Sequence, residues 1–218
     1  MESRRYRLVC FDLDGTILDN EFIWTDMHLA LKTDMGKRKE AAERFRKKEI
    51  SYQEWADHDI EMFVEQGAKK QDIINIAKKI RFIPGAIETL RELKRRGYRL
   101  AVISGSVDTV LEAVMPDYKR IFDDVLINSF VYDRNGALVG CRATEFDFEH
   151  KALGLRKLAE EQKISTKDCA FIGDHLNDIE IASEAGFSIA FNSKSDRLNQ
   201  VADVIIKEKD LRRILSHL

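Results

Sequence analysis

The stretch Leu8-Val9-Cys10-Phe11-Asp12-Leu13-Asp14-Gly15-Thr16 decides how this chain is read. Four apolar residues run into two carboxylates spaced i, i+2, so a strand ends here with Asp12 and Asp14 on one side of its C-terminal end. Open parallel sheets place their chemistry at that edge. Gly15 permits a sharp turn that leaves amide hydrogens open to a ligand, and Thr16 is placed to hydrogen-bond back onto the turn. Two carboxylates this close repel, and a cation, a shared proton or a phosphate-handling task must settle them. Taken alone, the same residues also suit an Asp-rich turn with no chemistry.

With 218 residues, the chain fits one large domain or a core domain with an insertion. Hydrophobic residues make up 44% and charged residues 34%, with only two prolines, which predicts a soluble, helix-rich globular protein and excludes a disordered one. A net charge of -2 and a pI near 6.2 give no pull toward nucleic acid or an anionic membrane. Cys10, Cys141 and Cys169 lie far apart with no CxxC pair and read as small buried hydrophobes in a reducing compartment. No leader-like apolar region follows the first residues, and no run approaches the ~18 apolar residues of a membrane span. The expectation is a cytoplasmic protein without nucleic-acid or membrane partners, either a monomer or a homodimer.

Beyond the first turn, residues 22–80 contain no proline and repeat their apolar positions at three and four, which predicts a helical insertion of three or four helices. Its basic stretch, Lys37-Arg38-Lys39 and residues 44–48, reads as a solvated helix face interleaved with Glu40, Glu43 and Glu49. Ser51 with Glu54 forms a capping-box signature. Pro84-Gly85 opens an amphipathic helix ending at Gly97. A strand over 99–103 then leads into Ser104-Gly105-Ser106 and a helix to about 114. Two short strands flank the turn signal Asn135-Gly136. A helix over 149–162 carries Lys151 near its start. The buried strand 169–172 ends in Gly173-Asp174-His175-Leu176-Asn177-Asp178, followed by a helix, strands over 188–191 and 204–206, and a terminal helix from about 209. This alternation predicts an α/β fold, a doubly wound parallel sheet with helices on both faces.

Three strand ends thus offer Asp12 and Asp14, then Ser104 and Gly105, then Asp174, Asn177 and Asp178. In a doubly wound sheet they converge on one edge. Four carboxylates together call for a hard cation held by oxygen, and Mg²⁺ suits that set. Ser104, the amides expected to follow it at a helix N-terminus, and Lys151 suit a phosphate. Metal and phosphate cradle together point to phosphoryl transfer.

These motifs, in this order, resemble the haloacid dehalogenase superfamily of phosphotransferases, and the helical insertion resembles the small cap of its phosphoserine phosphatase subgroup. The resemblance implies a core domain of residues 1–19 and 82–218 and a helical cap of residues 20–81. It implies that Asp12 is the nucleophile, giving an aspartyl-phosphate, and that Asp14 protonates the leaving oxygen and then activates water, with its pKa raised toward working pH. Asp12, Asp174 and the Asp14 backbone carbonyl would hold Mg²⁺, with Asp178 on metal-bound water. Ser104, Gly105, Lys151 and Asn177 would bind the phosphoryl group, Lys151 also neutralising Asp12.

In the cap, Glu21 stands where phosphoserine phosphatases meet the substrate ammonium, and Tyr52 resembles their cap-helix aromatic. The arginine those enzymes use for the substrate carboxylate is replaced by Asp59, a repulsive exchange. Arg46 offers a cation from another direction, beside the reading of a solvated face. His175 departs from the family's glycine; of two readings, a residue at the mouth of the site that senses pH and a solvent-exposed loop residue, the second is favoured. The expected function is a Mg²⁺-dependent phosphomonoesterase acting on a small phosphorylated metabolite, phosphoserine being the nearest named candidate. A sugar or polyol phosphate substrate, a phosphomutase and a non-catalytic binding protein are the alternatives.

Overall fold

The computed structural model describes residues 6–218; residues 1–5, part of the opening expected to lack a leader, lie outside it. Seven strands form one sheet: β1 (Leu8–Phe11), β2 (Arg99–Val107), β3 (Asp124–Tyr132), β4 (Leu138–Arg142), β5 (Cys169–Gly173), β6 (Phe187–Phe191) and β7 (Val204–Ile206). Their order is β4-β3-β2-β1-β5-β6-β7, parallel except where β4 returns antiparallel to β3. The chain builds outward from β1 in both directions. The crevice at its C-terminal end, between β2 and β5, is therefore the switch point of the sheet. Phe11 pairs with Val102 on one side and Ile172 on the other, so residues just beyond them reach the same level.

Side chains alternate along each buried strand. Val9 and Phe11 join one apolar core with Leu100, Val102, Ala170 and Ile172. Leu8 and Cys10 join the other with Ala101, Ile103, Cys169 and Phe171. All three cysteines are free and buried, as expected. The helices are α1 (Ile23–Leu31), α2 (Met35–Arg46), α3 (Tyr52–Glu65), α4 (Lys70–Ala77), α5 (Ala86–Arg95), α6 (Asp108–Val114), α7 (Tyr118–Ile121), α8 (Lys151–Glu161), α9 (Ile179–Glu184) and α10 (Asp196–Val201). Leu90 of α5 and Val110 of α6 pack into the first core, while Leu155 of α8 and Ile181 of α9 pack into the second. The expected doubly wound α/β fold is the fold the chain adopts.

Four helices, α1 to α4, occupy the stretch after the first strand. The chain leaves and re-enters the core through a narrow neck, where the Asp19 amide donates to the Arg81 carbonyl at 2.7 Å and Leu18 bridges Phe82. Asp34 caps α2, and Ser51 with Glu54 closes a capping box on α3. No described helix is long and apolar enough to cross a membrane.

Several local expectations need correction. Strand β2 runs on to Val107, with its register to β3 shifting between Ile103 and Val107, and the next helix starts only at Asp108. Ser104 and Gly105 therefore sit in an irregular strand end and not at a helix N-terminus. Pro84 precedes α5: Gly85, in the left-handed region at φ 76, occupies the cap, while the Pro84 carbonyl accepts from the Leu211 amide at 2.8 Å. A 3-10 turn at Phe148–His150 precedes α8, α10 has no counterpart in the sequence reading, and the last helical segment, Leu211–Ser216, is 3-10.

Candidate active site

Asp12 follows the last residue of β1, and its amide donates to the Ile172 carbonyl at 3.0 Å, extending the ladder by one bond. One carboxylate oxygen accepts from the Leu13 amide at 2.7 Å; the other lies 2.9 Å from Lys151 Nζ. Lys151 is fully buried. Its ammonium also meets Asp178 Oδ1 at 2.7 Å, so one cation bridges two carboxylates from the ends of different elements. Burial alone would lower the Lys151 pKa, but Asp12 and Asp178 outweigh it and hold the side chain protonated. A surface role for this lysine is thereby ruled out.

Asp14 points elsewhere. Its carboxylate accepts from the Ile23 amide at 3.2 Å and from Ser106 Oγ at 3.1 Å. Burial and the adjacent Asp12 charge push its pKa up to about 7. A carboxyl that holds a proton near neutrality, two residues from one ion-paired to a lysine, is the division of labour acid-base chemistry needs.

Asp174 and Asp178 complete the set from the turn after β5. Asp178 Oδ2 accepts from the Asp174 and His175 amides at 2.9 and 3.0 Å, fixing the turn from within. Asp174 accepts from Thr16 Oγ1 at 3.3 Å, so that hydroxyl reaches across to the turn after β5 and not back onto its own turn. Burial, then the Asp12 and Asp178 charges, push the Asp174 carboxyl up to about 8. One oxygen each of Asp12, Asp174 and Asp178 lie within 4.8 Å of one another, a hard all-oxygen donor set that fits a divalent cation. The Asp14 carboxylate is not part of that cluster.

The remaining expected residues line one cavity of about 680 Å³ above this edge, among them Ser104, Gly105, Asn177, Glu21, Tyr52 and Arg46. Lys151 lies beneath it. Ser104 Oγ accepts from the Ser106 amide at 3.2 Å. The Gly105 carbonyl accepts from Trp24 Nε1 at 2.9 Å and Asn128 Nδ2 at 2.6 Å, which orients the peptide. Arg46 is exposed and its Nε turns back to the Ala42 carbonyl at 3.2 Å. His175 is half-buried, not solvent-exposed: its ring meets Phe22 edge-on at 4.9 Å, and burial lowers its pKa.

Asp59 also lines the cavity, but it is almost fully buried and its Oδ1 lies 3.1 Å from Nε2 of the fully buried His28. The other ring nitrogen of His28 lies 2.5 Å from Thr33 Oγ1. Asp59 therefore has a partner behind it, a link no sequence spacing announces.

Three lining residues carry roles that sequence reasoning missed. Ser106 holds Asp14; in the Ser-Gly-Ser run it has no signal that sets it apart. Asp147, 5% exposed, accepts from Tyr52 Oη and from Asn177 Nδ2, each at 3.0 Å. Its carboxylate packs so closely on Gly105 that a Cβ there would fall 2.0 Å from Oδ2. Arg38 belongs by sequence to the basic stretch expected to be solvated. It is half-buried in the cavity wall, while Lys37 and Lys39 are exposed.

A family model described as haloacid dehalogenase-like hydrolase matches residues 6–186. The chain belongs to the haloacid dehalogenase-like hydrolase family. It is 31% identical over 221 residues to a phosphoserine phosphatase of Methanocaldococcus jannaschii, the alignment covering all of both chains. A phosphoserine phosphatase of Archaeoglobus fulgidus is 29% identical over 218 residues, and this chain spans 61% of its length. A solved structure described as a phospho-aspartyl intermediate analogue of phosphoserine phosphatase superposes with a TM-score of 0.77 at 26% identity, covering 99% of this chain and 100% of that one. The class read from the ordered motifs, a phosphatase of this family, stands.

Proposed function

We propose that this chain is a Mg²⁺-dependent phosphomonoesterase that works through Asp12 as nucleophile and acts on a small phosphorylated metabolite, with phosphoserine the nearest candidate. The observation that carries the reading is the pairing of two unlike carboxyls. Asp12 is ion-paired to a buried ammonium, and Asp14, beside it, holds a proton near neutrality.

In this reading the Asp12 carboxylate attacks phosphorus in line, the ester P–O bond breaks, and the leaving oxygen takes the Asp14 proton. Asp14, now a base, removes a proton from water; the water oxygen attacks phosphorus, the bond to Asp12 breaks, and inorganic phosphate leaves with both carboxyls restored. Asp12, Asp174 and the Asp14 carbonyl would hold Mg²⁺, with Asp178 through water, and the ion would supply charge neutralisation at the phosphoryl oxygens. Lys151 neutralises Asp12, so that one anion can approach another. Ser104, Gly105 and Asn177 would bind phosphoryl oxygens. Residues 20–81 act as a cap on the core of residues 1–19 and 82–218, closing the cavity and excluding water. The relatives' activity and the motif order support an enzyme of this kind, and the buried free cysteines suit a cytoplasmic setting.

The test is Mg²⁺-dependent phosphate release from L-phosphoserine, set beside sugar, polyol and nucleotide phosphates, with Asp12→Asn as blank. Release that persists in Asp12→Asn, or no release from any phosphate ester, would overturn the reading.

A further inference from the structure

The cavity has two ends of different chemistry. The reaction end, on the strand termini, is acidic and holds Asp12, Asp14 and Asp174. The far end is built by α2 and α3. Along α2, Arg38, Ala41 and Phe45 recur at helical spacing and form the inward face. Ala41 is buried, and Phe45 stacks on Trp55 of α3 with ring centroids 4.8 Å apart. Arg38 is the one charged member of that face. Its Nε is buried and has no hydrogen-bond partner. An arginine so placed normally has a carboxylate or phosphate to satisfy its fork.

The adjacent acid does not meet that need in full. Asp59 contributes charge to the surroundings of Arg38. Its Oδ1 lies 3.1 Å from His28 Nε2, at ion-pair distance but outside hydrogen-bond geometry, and it makes no hydrogen bond to Arg38. Arg38 and Asp59 thus share this wall of the cavity, and the guanidinium keeps an unpartnered donor. Burial lowers the Arg38 pKa, Asp59 offsetting part of the effect, so the cation gains by acquiring an anion. Arg46 and Arg197 also reach the cavity wall, but both are exposed, and solvent screens a charge there.

We propose that Arg38 is the specificity-determining residue of the leaving-group end, and that its guanidinium binds a carboxylate carried by the phosphorylated substrate. The inference rests on the phosphatase reading above and narrows it to phosphomonoesters of hydroxy-carboxylates, phosphoserine among them. The planar fork of Arg38 matches a planar carboxylate. The exchange of an arginine for Asp59 then does not bar a carboxylate substrate, because the cation enters from the neighbouring helix.

The experiment compares O-phospho-L-serine with O-phosphoethanolamine, which lacks only the carboxylate, using the full chain with Mg²⁺ and the variants Arg38→Gln and Arg38→Lys. The wild type should prefer phosphoserine. In Arg38→Gln the phosphoserine-to-phosphoethanolamine ratio of kcat/KM should fall by about 10- to 100-fold, as loss of a charged hydrogen bond implies, and the loss should sit in KM. Arg38→Lys, which keeps the charge and loses the fork, should recover part of it. A wild type that favours phosphoethanolamine overturns the proposal, as does a variant that slows both substrates alike or neither. Absence of Mg²⁺-dependent phosphate release from every ester tested is the distinct result that removes the phosphatase reading itself.

Discussion

Tyr52 Oη, on α3, donates to Asp147 Oδ2 at 3.0 Å, on the loop that leads into Lys151. Asn128 Nδ2 in turn donates to the same hydroxyl at 3.0 Å. One phenol thus fastens the helical insertion to the edge of the sheet at two points. Phe148, next to Asp147 and in the left-handed region at φ 49, packs against Phe45, Tyr52 and Trp55, so an aromatic cluster backs the polar contact. Tyr52→Phe keeps the cluster and deletes the hydroxyl. Asp147 then loses one of its two side-chain donors, and unfolding free energy should drop by about 1–3 kcal/mol. Denaturant unfolding followed by tryptophan fluorescence reads this directly.

Asp147 should bear on phosphate affinity as well. Its carboxylate sits against Gly105 and takes the Asn177 amide, two of the groups proposed for phosphoryl oxygens. Burial raises the Asp147 pKa, and whatever negative charge it keeps repels a phosphate dianion entering there. Asp147→Asn retains the shape without the charge, and inorganic phosphate should inhibit it more strongly than the wild type, by about tenfold or 1.4 kcal/mol. Product-inhibition constants for the two proteins check this; weaker inhibition in the variant would show that Asp147 serves to position Asn177.

Lys151 is the electrostatic keystone of the buried triad. Replacing it with Met leaves Asp12 and Asp178 buried without their shared cation, which should cost about 3–5 kcal/mol. The denaturation midpoint should fall accordingly, and turnover should vanish.

Asp12→Asn should separate chemistry from folding. Lys151 keeps Asp178, so the fold holds, while loss of the proposed nucleophile should lower kcat by at least about 10³-fold. A near-normal thermal midpoint beside absent turnover is the expected pair of readings.

The acidic cluster predicts a metal effect independent of turnover. Mg²⁺ at about 100 times its dissociation constant should stabilise the protein by about 2.7 kcal/mol and raise its thermal midpoint. In Asp174→Asn that rise should largely disappear. A full Mg²⁺ response in this variant would place the ion elsewhere.

Much of the fold and the reaction end of the cavity is legible in the sequence, because the signals are local. An apolar run ending in Asp12-Leu13-Asp14-Gly15 declares a strand and its turn, and the Asn135-Gly136 hairpin and the Ser51 capping box depend on a handful of neighbouring residues. The helix expected directly after Ser104 does not form there, for a reason that local pattern does not contain. Pairing of Val107 with Asn128 on β3 carries the strand onward through Gly105.

The sequence by itself determined the α/β alternation, the order of the motifs and hence the membership of the family, since strand and helix periodicity and turn chemistry are written residue by residue. Tertiary structure alone decided what lines the far end of the cavity. Arg38 reads like its neighbours Lys37 and Lys39 until α2 packs on α3 and turns one face inward. Asp59 reads as a repulsive charge until His28, on another helix, meets it from behind, and Asp147 has no signal until Tyr52 and Asn177 arrive from distant segments. Charge and hydrogen bonding act between groups a few ångströms apart in space, and only the folded chain brings those groups together.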